Sequence, residues 1–214
     1  MLAVENRIFS WQGIPKSSRI ILISTMMVIV FITPNLADGY YESSWNPVEI
    51  NTDNNYNAAI IDEEGNAWIF GDGGGIIFGE NIEQWTQVNS PTSEDLTTAY
   101  ANEEMIVAAG KNSSIIYKEY NTDNWIEINI QNSLDVNAIS INSNNEIFIV
   151  SDNGAIWCFK QQNWIKIESM VSENLYDIVF EGEKGLISGS SGLILGSEDS
   201  GESWEIRDTP SEIS

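Results

Sequence analysis

Carboxyl groups are the most abundant side chains in this sequence that could do chemistry. Asp and Glu number 32 against nine Lys and Arg, which gives the 214-residue chain a formal net charge of -23. Two carboxyl groups at a suitable separation can hydrolyse a glycosidic bond, one as acid and the other as base or nucleophile. With so many acids, any pair picked from the sequence would be a chance pair, so none is assigned a catalytic role.

The side chains used by most other enzymes are missing. The chain has no histidine, which removes the commonest general base and zinc ligand together with every Ser-His or Cys-His nucleophile. Its one cysteine, Cys158, can form no intramolecular disulfide and lies in an apolar run, where a small buried side chain is expected. The sequence therefore predicts a protein that is not an enzyme, with no catalytic or cofactor-binding residue and no metal ligand to name.

Calcium is the one cofactor that the acidic turns leave open. Oxygen ligands suit this ion, and turns rich in Asn and Gly carry Asp53, Asp62, Glu63, Glu64, Asp72 and Asp152. No segment has the complete calcium-loop pattern. Solvated turns are the preferred interpretation, so no cofactor is expected.

An apolar segment near the amino terminus is typical of an export signal. Residues 20–32 are uncharged, follow the basic residues Arg7, Lys16 and Arg19, and precede a small residue at Ala37. The segment is shorter than the roughly 20 residues of a membrane span. This favours cleavage of residues 1–37 over an uncleaved anchor that tethers the protein to the membrane. The sequence therefore predicts a secreted or extracytoplasmic protein, with a short linker at 38–44.

The part beyond the export signal is more acidic than the whole. Residues 1–37 contain three of the nine basic residues and one of the 32 acids, which leaves six basic residues against 31 acids. Such a surface repels nucleic-acid phosphates, so no nucleic-acid partner is expected. It keeps a protein soluble and also suits a basic partner.

Tryptophans recur at an almost constant interval. Five of them are separated by 40, 40, 39 and 40 residues, namely Trp45, Trp85, Trp125, Trp164 and Trp204. Each begins a short alternating segment that is typical of a β-strand. A fixed period of this length indicates a repeat architecture. Residues 45–208 are therefore predicted to form one repeat domain, followed by a tail at 209–214.

Three further strand signals lie between successive tryptophans. In the second unit they are residues 98–100, 105–109 and 114–117, and the other units repeat the pattern. Turns rich in Gly, Asn and Ser separate the second signal from the third, as at 71–74 and 151–154. The sequence therefore predicts an all-β fold, a β-propeller of four blades of about forty residues with four strands each.

Stacking of blades explains why the tryptophan is repeated. A single four-stranded blade cannot bury its own faces, whereas large flat side chains fill the space between adjacent blades. The repeated tryptophans are therefore interpreted as packing residues. Four complete units carry five tryptophan strands. The surplus first strand either closes the ring as an outer strand or belongs to a partial ring that associates with a second copy as a homo-oligomer.

Residues 197–204 carry a recognisable hairpin motif. The pattern Ser-x-Asp-x-Gly-x-Ser/Thr-Trp resembles the Asp-box of sialidase-type BNR repeats, and its matching residues are Ser197, Asp199, Gly201 and Trp204. The carboxylate can accept N–H groups of its own turn, and the glycine permits the turn conformation. The resemblance implies a structural role for these residues. Earlier repeats keep the tryptophan, but Glu80 and Tyr120 stand in place of the aspartate.

The last unit is also similar, over residues 175–207, to the repeat of the photosystem II stability and assembly factor family, and the resemblance extends over 45–208. It implies an exported or lumenal propeller that binds proteins during assembly and does no catalysis. Photosynthetic members resemble a larger ring with a basic patch for the client. This chain differs, because Arg207 and five lysines are its basic residues after residue 37.

Two functions remain open at this point. The first is a non-catalytic scaffold that binds a protein partner, for which the sequence marks no binding face. The alternative is a glycan-binding, lectin-like propeller or a sialidase-related propeller active on glycosides. A sialidase-like site resembles a cluster of arginines around the substrate carboxylate with a tyrosine nucleophile, and Arg207 alone cannot supply that cluster.

Overall fold

The computed structural model describes residues 54–80 and 84–208, and these residues are all-β. They form four sheets, each of four antiparallel strands in chain order. The predicted propeller of four four-stranded blades is confirmed. The export signal, the linker, the Trp45 strand and the tail at 209–214 lie outside the described residues. No helix among the described residues is long and apolar enough to cross a membrane.

Sixteen strands make up the four blades. Blade 1 contains β1 (Tyr56–Ile61), β2 (Ala67–Gly71), β3 (Ile76–Glu80) and β4 (Gln84–Val88). Blade 2 contains β5 (Leu96–Ala101), β6 (Met105–Gly110), β7 (Ile115–Glu119) and β8 (Ile126–Glu127). Blade 3 contains β9 (Val136–Ile141), β10 (Ile147–Ser151), β11 (Ile156–Lys160) and β12 (Asn163–Ile167). Blade 4 contains β13 (Leu175–Glu181), β14 (Lys184–Gly189), β15 (Ile194–Ser197) and β16 (Glu205–Ile206).

The blades stack in chain order through their first strands. Strand β1 contacts β5, β5 contacts β9, and β9 contacts β13. Each blade therefore has one face toward the blade that follows it in the chain, which we call its forward face, and an opposite rear face. Strand residues alternate between the two faces, so a blade with neighbours on both sides must be apolar on both.

Three apolar cores hold the four blades together. The core between blades 1 and 2 includes Phe70 and Trp125, the core between blades 2 and 3 includes Val107 and Ile149, and the core between blades 3 and 4 includes Phe148. Within the described residues no core joins blade 4 to blade 1. The described residues therefore form an arc of four blades. The Trp45 strand, on which the choice between a closed and a partial ring depended, lies outside them.

The burial of the second strand differs between the inner blades and blade 4, the last of the arc. Every residue of β6 and β10 is buried, because blades 2 and 3 have a neighbour on each side. Strand β14 instead alternates between exposed and buried residues. Val179 and Leu186, which are paired across β13 and β14 on the forward face of blade 4, are 50% and 52% exposed.

Tight turns join the second and third strands of each blade. They place the equivalent residues Gly73, Asn112, Asn153 and Ser191 in the left-handed region, with φ between 52° and 60°. Gly and Asn adopt this conformation with little strain, which explains their frequency in these turns. The predicted turn segments therefore agree with the structure.

We expect Phe148→Ala to lower the free energy of unfolding by about 3–5 kcal/mol, the usual cost of emptying a large core site. Phe148 is 1% exposed, and its ring centroid lies 4.9 Å from that of Phe180 across the interface of blades 3 and 4. Denaturant unfolding of the full chain measures the loss. Met170→Ala, at a residue 88% exposed, is the control and should change little. Equal effects of the two substitutions would contradict the assigned core.

Candidate functional site

A groove of about 760 Å³ lies between the outer strands of blades 2 and 3. One wall comes from β7, β8 and the segment after β8, and the other from β11, β12 and the turn between them. The lining residues are Tyr117, Ile126, Ile128, Asn129, Ile130, Gln131, Asn132, Trp157, Phe159, Gln162, Asn163 and Trp164. The volume falls in the range of ligand-binding clefts.

Side chains of β11 and β12 form an aromatic wall of the groove, because successive residues of β11 point to opposite faces of the sheet. Cys158 points into the core with blade 4, so its neighbours Trp157 and Phe159 point the opposite way, toward blade 2. Trp164 on β12 lies directly opposite Phe159, with ring centroids 5.2 Å apart. All three rings are only partly buried. They therefore form a pre-arranged apolar surface that a ligand can contact.

The short outer strand of blade 2 opens the groove on its other side. Strand β8 has two residues, as has β16, whereas β4 and β12 have five. The chain after β8 is fixed by Ile130, which is 7% exposed in the core between blades 2 and 3. Its neighbours Asn129 and Gln131 are exposed beside the groove. Amide side chains are thereby held at the rim by a buried residue between them.

The groove lining contains no charged side chain, although the chain has 32 acids. Amide side chains both donate and accept hydrogen bonds, as peptide groups do. Strand β12 is the outermost strand of its sheet, so no described strand pairs with its outer edge. An edge of this kind can pair with an added strand. The arrangement suits an uncharged, hydrogen-bonding ligand with apolar parts.

The repeated tryptophans lie where packing residues are expected. Trp125 and Trp204 are 8% and 6% exposed in the cores behind their own blades, and Trp164 packs against the core between blades 2 and 3. Trp85 lies on the rear face of blade 1, where its ring covers Gly79. Trp45 is outside the described residues.

The Ser197–Trp204 hairpin forms a closed set of local hydrogen bonds. Asp199 accepts from the backbone N–H of Ser203 at 3.0 Å and from its hydroxyl at 2.6 Å. Ser197 Oγ donates to Asp199 at 2.7 Å and accepts from the N–H of Gly201. The indole of Trp204 donates to the carbonyl of Gly201, whereas the indole nitrogens of Trp85, Trp125 and Trp164 are buried with no described acceptor.

Acidic side chains considered as calcium ligands accept hydrogen bonds from neighbouring groups of the protein. Asp62 accepts from backbone N–H groups of its own turn and from the indole of Trp68, which is the commoner role of an acid in a turn. Side-chain hydrogen bonds from Asn55 and Asn57 lower the pKa of Asp72. Asp53 is not described, and among the described residues no three acids come together as a metal site.

Reasoning from the sequence missed the groove. Its residues come from two units and meet only because the blades stack. Two signals were present: Trp157 stands outside the forty-residue register, and the segments 128–132 and 161–164 are rich in amides and contain no charge. Neither signal shows that the two segments face each other.

No family model and no curated protein matches this sequence. Solved structures do match it. A structure described as YCF48 bound to D1 peptide has a TM-score of 0.54 and 16% identity, with 67% of this chain and 50% of that chain covered. YCF48 from Cyanidioschyzon merolae has a TM-score of 0.58 and 12% identity, covering 75% and 61%. The chain has a YCF48-like β-propeller fold.

A catalytically inactive virginiamycin B lyase from Staphylococcus aureus with quinupristin is also similar, with a TM-score of 0.65, 13% identity and coverage of 75% and 58%. Its inactive form carries alanine in place of a histidine. The present chain thus spans between half and about three fifths of these proteins. The identities are low, so the likeness concerns the fold.

The hydrogen bonds from Ser203 lower the pKa of Asp199. A lowered folded pKa stabilises the fold above the unfolded value of about 3.9, and this contribution is lost as the pH falls through the folded pKa. We expect Asp199→Ala to lower the free energy of unfolding by about 1 kcal/mol at pH 7, a usual value for exposed hydrogen bonds. Thermal unfolding from pH 7 to 2.5 should show the difference shrink. Asp123→Ala is the control, and a difference that stays constant as the pH falls would contradict the role of the carboxylate.

Burial raises the pKa of the Cys158 thiol to about 12. The thiolate is the reactive form, so we expect a maleimide at neutral pH to leave the folded chain unlabelled and to label it after unfolding in guanidinium. Mass spectrometry counts the adducts. Labelling of the native protein at the rate of a free cysteine would contradict the buried position.

Proposed function

We propose that the chain is an exported, non-catalytic propeller that acts as a scaffold and binds an extended segment of a partner protein in the groove between blades 2 and 3. The observation that carries the proposal is the charge-free groove beside the unpaired edge of β12. A partner strand can pair its backbone with that edge while its side chains contact the aromatic wall. Similarity of fold to a YCF48 with a bound peptide supports a peptide as the ligand.

The charge of the protein restricts the partner segment. An acidic segment would be repelled by a surface of this net charge, and a charge of either sign would lose hydration inside a groove without charged partners. The segment is therefore uncharged, with amide or hydroxyl side chains for Asn129, Gln131 and Asn163 and apolar side chains for the rings. Basic residues on either side of it would be attracted to the acidic surface outside the groove.

The lack of a catalytic constellation supports the non-enzymatic part of the proposal. The groove contains no carboxylate, and the chain has no histidine. In the lyase with a similar fold the inactive form has lost a histidine, so this chain offers no counterpart of that side chain. We expect no turnover of sialosides or other glycosides by the purified protein.

Glycan binding is the second candidate, and the same lining favours it to a lesser degree. Aromatic rings stack on the apolar faces of sugars, and amides bond to their hydroxyl groups. The edge of β12 has no use in this alternative, because a sugar cannot continue a sheet. That edge is the reason to place a peptide first.

Selection from a displayed library of random peptides, run beside a glycan array, separates the two candidates. We expect the full chain to enrich uncharged peptides. Asn163→Lys should weaken their binding by about tenfold or more, because it places a charge in the groove. Asn144→Lys, at an exposed amide outside the groove, is the matched control.

Enrichment of no peptide, or binding that Asn163→Lys leaves unchanged, would overturn the proposed site. Binding to glycans that Asn163→Lys abolishes, without any peptide, would establish the second candidate in place of the first. Turnover of a glycoside would overturn the non-catalytic assignment.

A further inference from the structure

The forward face of blade 4 has the side chains of an inter-blade core but no blade against it. Leu186 occupies the strand position that Trp68, Val107 and Phe148 occupy in the other blades, where each fills a core with the next blade. Val179 lies opposite Leu186, and Ile194 lies beside them on β15. Two shallow depressions of about 160 and 280 Å³ share Val179 and Leu186.

The rear face of blade 1 has the complementary set. Trp85 is the counterpart of the tryptophans that blades 2, 3 and 4 place in the cores behind them. It shares this face with Ile69, Ile77 and Ile61. Ile77 is buried, Trp85 and Ile69 are partly exposed, and Ile61 is 64% exposed. No blade of the described chain lies behind this face.

A hydrogen bond is repeated at each of the three internal interfaces. The N–H of the left-handed turn residue in one blade donates to the side chain just before the first strand of the next blade. The three bonds are Gly73 to Asp95 at 2.9 Å, Asn112 to Asp135 at 3.1 Å and Asn153 to Asn174 at 3.1 Å. We call this bond the turn latch.

Both halves of a fourth turn latch are present at the two ends of the arc. Ser191 is the turn residue of blade 4, with φ 59°, and its N–H has no acceptor in the described part of the chain. Asn55 precedes β1 as Asp95 precedes β5. Its Nδ2 donates to Asp72, and no described donor reaches its Oδ1. The donor and the acceptor of such a bond are thus both present, at opposite ends of the arc.

Charge does not account for a contact between the two ends. Residues 54–80 and 84–90 of blade 1 contain no Lys or Arg, and they contain Asp62, Glu63, Glu64, Asp72 and Glu80. Blade 4 carries Lys184 and Arg207, but both are paired with Glu198 of the same blade, and Arg207 also with Glu205. A contact between the ends therefore depends on the apolar faces and the turn latch.

We propose that the forward face of blade 4 binds the rear face of blade 1 of a second copy of this chain, with Ser191 donating to Asn55 of that copy. The contact joins unlike surfaces, so it either closes a ring or extends a chain of copies. Two four-bladed arcs give eight blades, which is within the propeller range. A closed pair is therefore the expected product, since it leaves no blade face uncovered.

One further internal contact has no described counterpart at this end of the arc. At each internal interface a side chain of the first strand donates to a carbonyl of the next blade, from Asn57 to Leu96, Thr97 to Val136 and Asn137 to Leu175. The equivalent residue in blade 4 is Tyr176, which is 53% exposed. Its hydroxyl group can donate a hydrogen bond to a partner at the junction.

Cross-linking between two differently tagged full-length copies tests the proposal. One copy carries Ile61→Cys, the other carries Leu186→Cys, and a short bis-maleimide joins thiols that lie close together. The native Cys158 is buried and gives little background. We expect about tenfold or more product from the mixed pair than from either copy alone, because bound copies hold the two thiols at high effective concentration.

A third substitution shows whether the apolar face itself is responsible. Val179→Glu should abolish both the cross-link and a mass of two copies in light scattering, while Met170→Glu, at another exposed apolar residue, should leave both unchanged. Asn55→Ala should weaken the cross-link, because it removes the acceptor for the N–H of Ser191 that Asp95 and Asp135 supply at the internal interfaces.

A monomeric mass with no mixed cross-link would overturn the proposal. Equal cross-linking of Leu186→Cys with itself would overturn it as well, because that result requires like faces to meet. Neither outcome affects the groove between blades 2 and 3, which lies away from both ends of the arc.

Discussion

Every blade of this protein must have both of its apolar faces covered, and the rest of the structure depends on that constraint. A single sheet of four short strands buries too little surface to be stable alone. Blades 2 and 3 meet the requirement on both sides, which is why β6 and β10 are buried at every residue. Blade 4 meets it only on its rear face within the described chain. The forward face of blade 4 consequently has apolar side chains at half exposure, where an internal blade would have a core.

The same stacking explains where the groove lies. Near the innermost strands, packing is close and repeats from blade to blade, with a turn latch at each interface. Farther out, the outer strands of blades 2 and 3 leave a groove between them. Strand β8 is only two residues long, so the space beside β11 and β12 is lined by loop amides and partly exposed rings. The groove is thus a local departure from a repeat whose inner part is preserved.

The repeat made the fold predictable from the sequence. The interval between tryptophans defines the units, and alternating segments with Gly- and Asn-rich turns give four strands per unit, as observed. The sequence could not decide between a closed and a partial ring, because that depends on the angle between blades, which the strand pattern does not encode. The groove was not predictable for a related reason. Trp157 and Gln131 belong to different units, and their proximity follows from the stacking alone.

Departures from the repeat mark the places where this protein can meet other molecules. Inside the arc, Asn57, Thr97 and Asn137 each donate a hydrogen bond to the next blade. The equivalent residue of blade 4 is Tyr176, which is 53% exposed because no described blade follows it. The turn donor of Ser191 and the apolar pair Val179 and Leu186 are likewise without a partner among the described residues. The groove departs from the rest of the surface in charge, because a chain with 32 acids keeps all of them out of this lining. Exclusion of charge there preserves a surface whose rings and amides an uncharged ligand can contact without desolvating an ion.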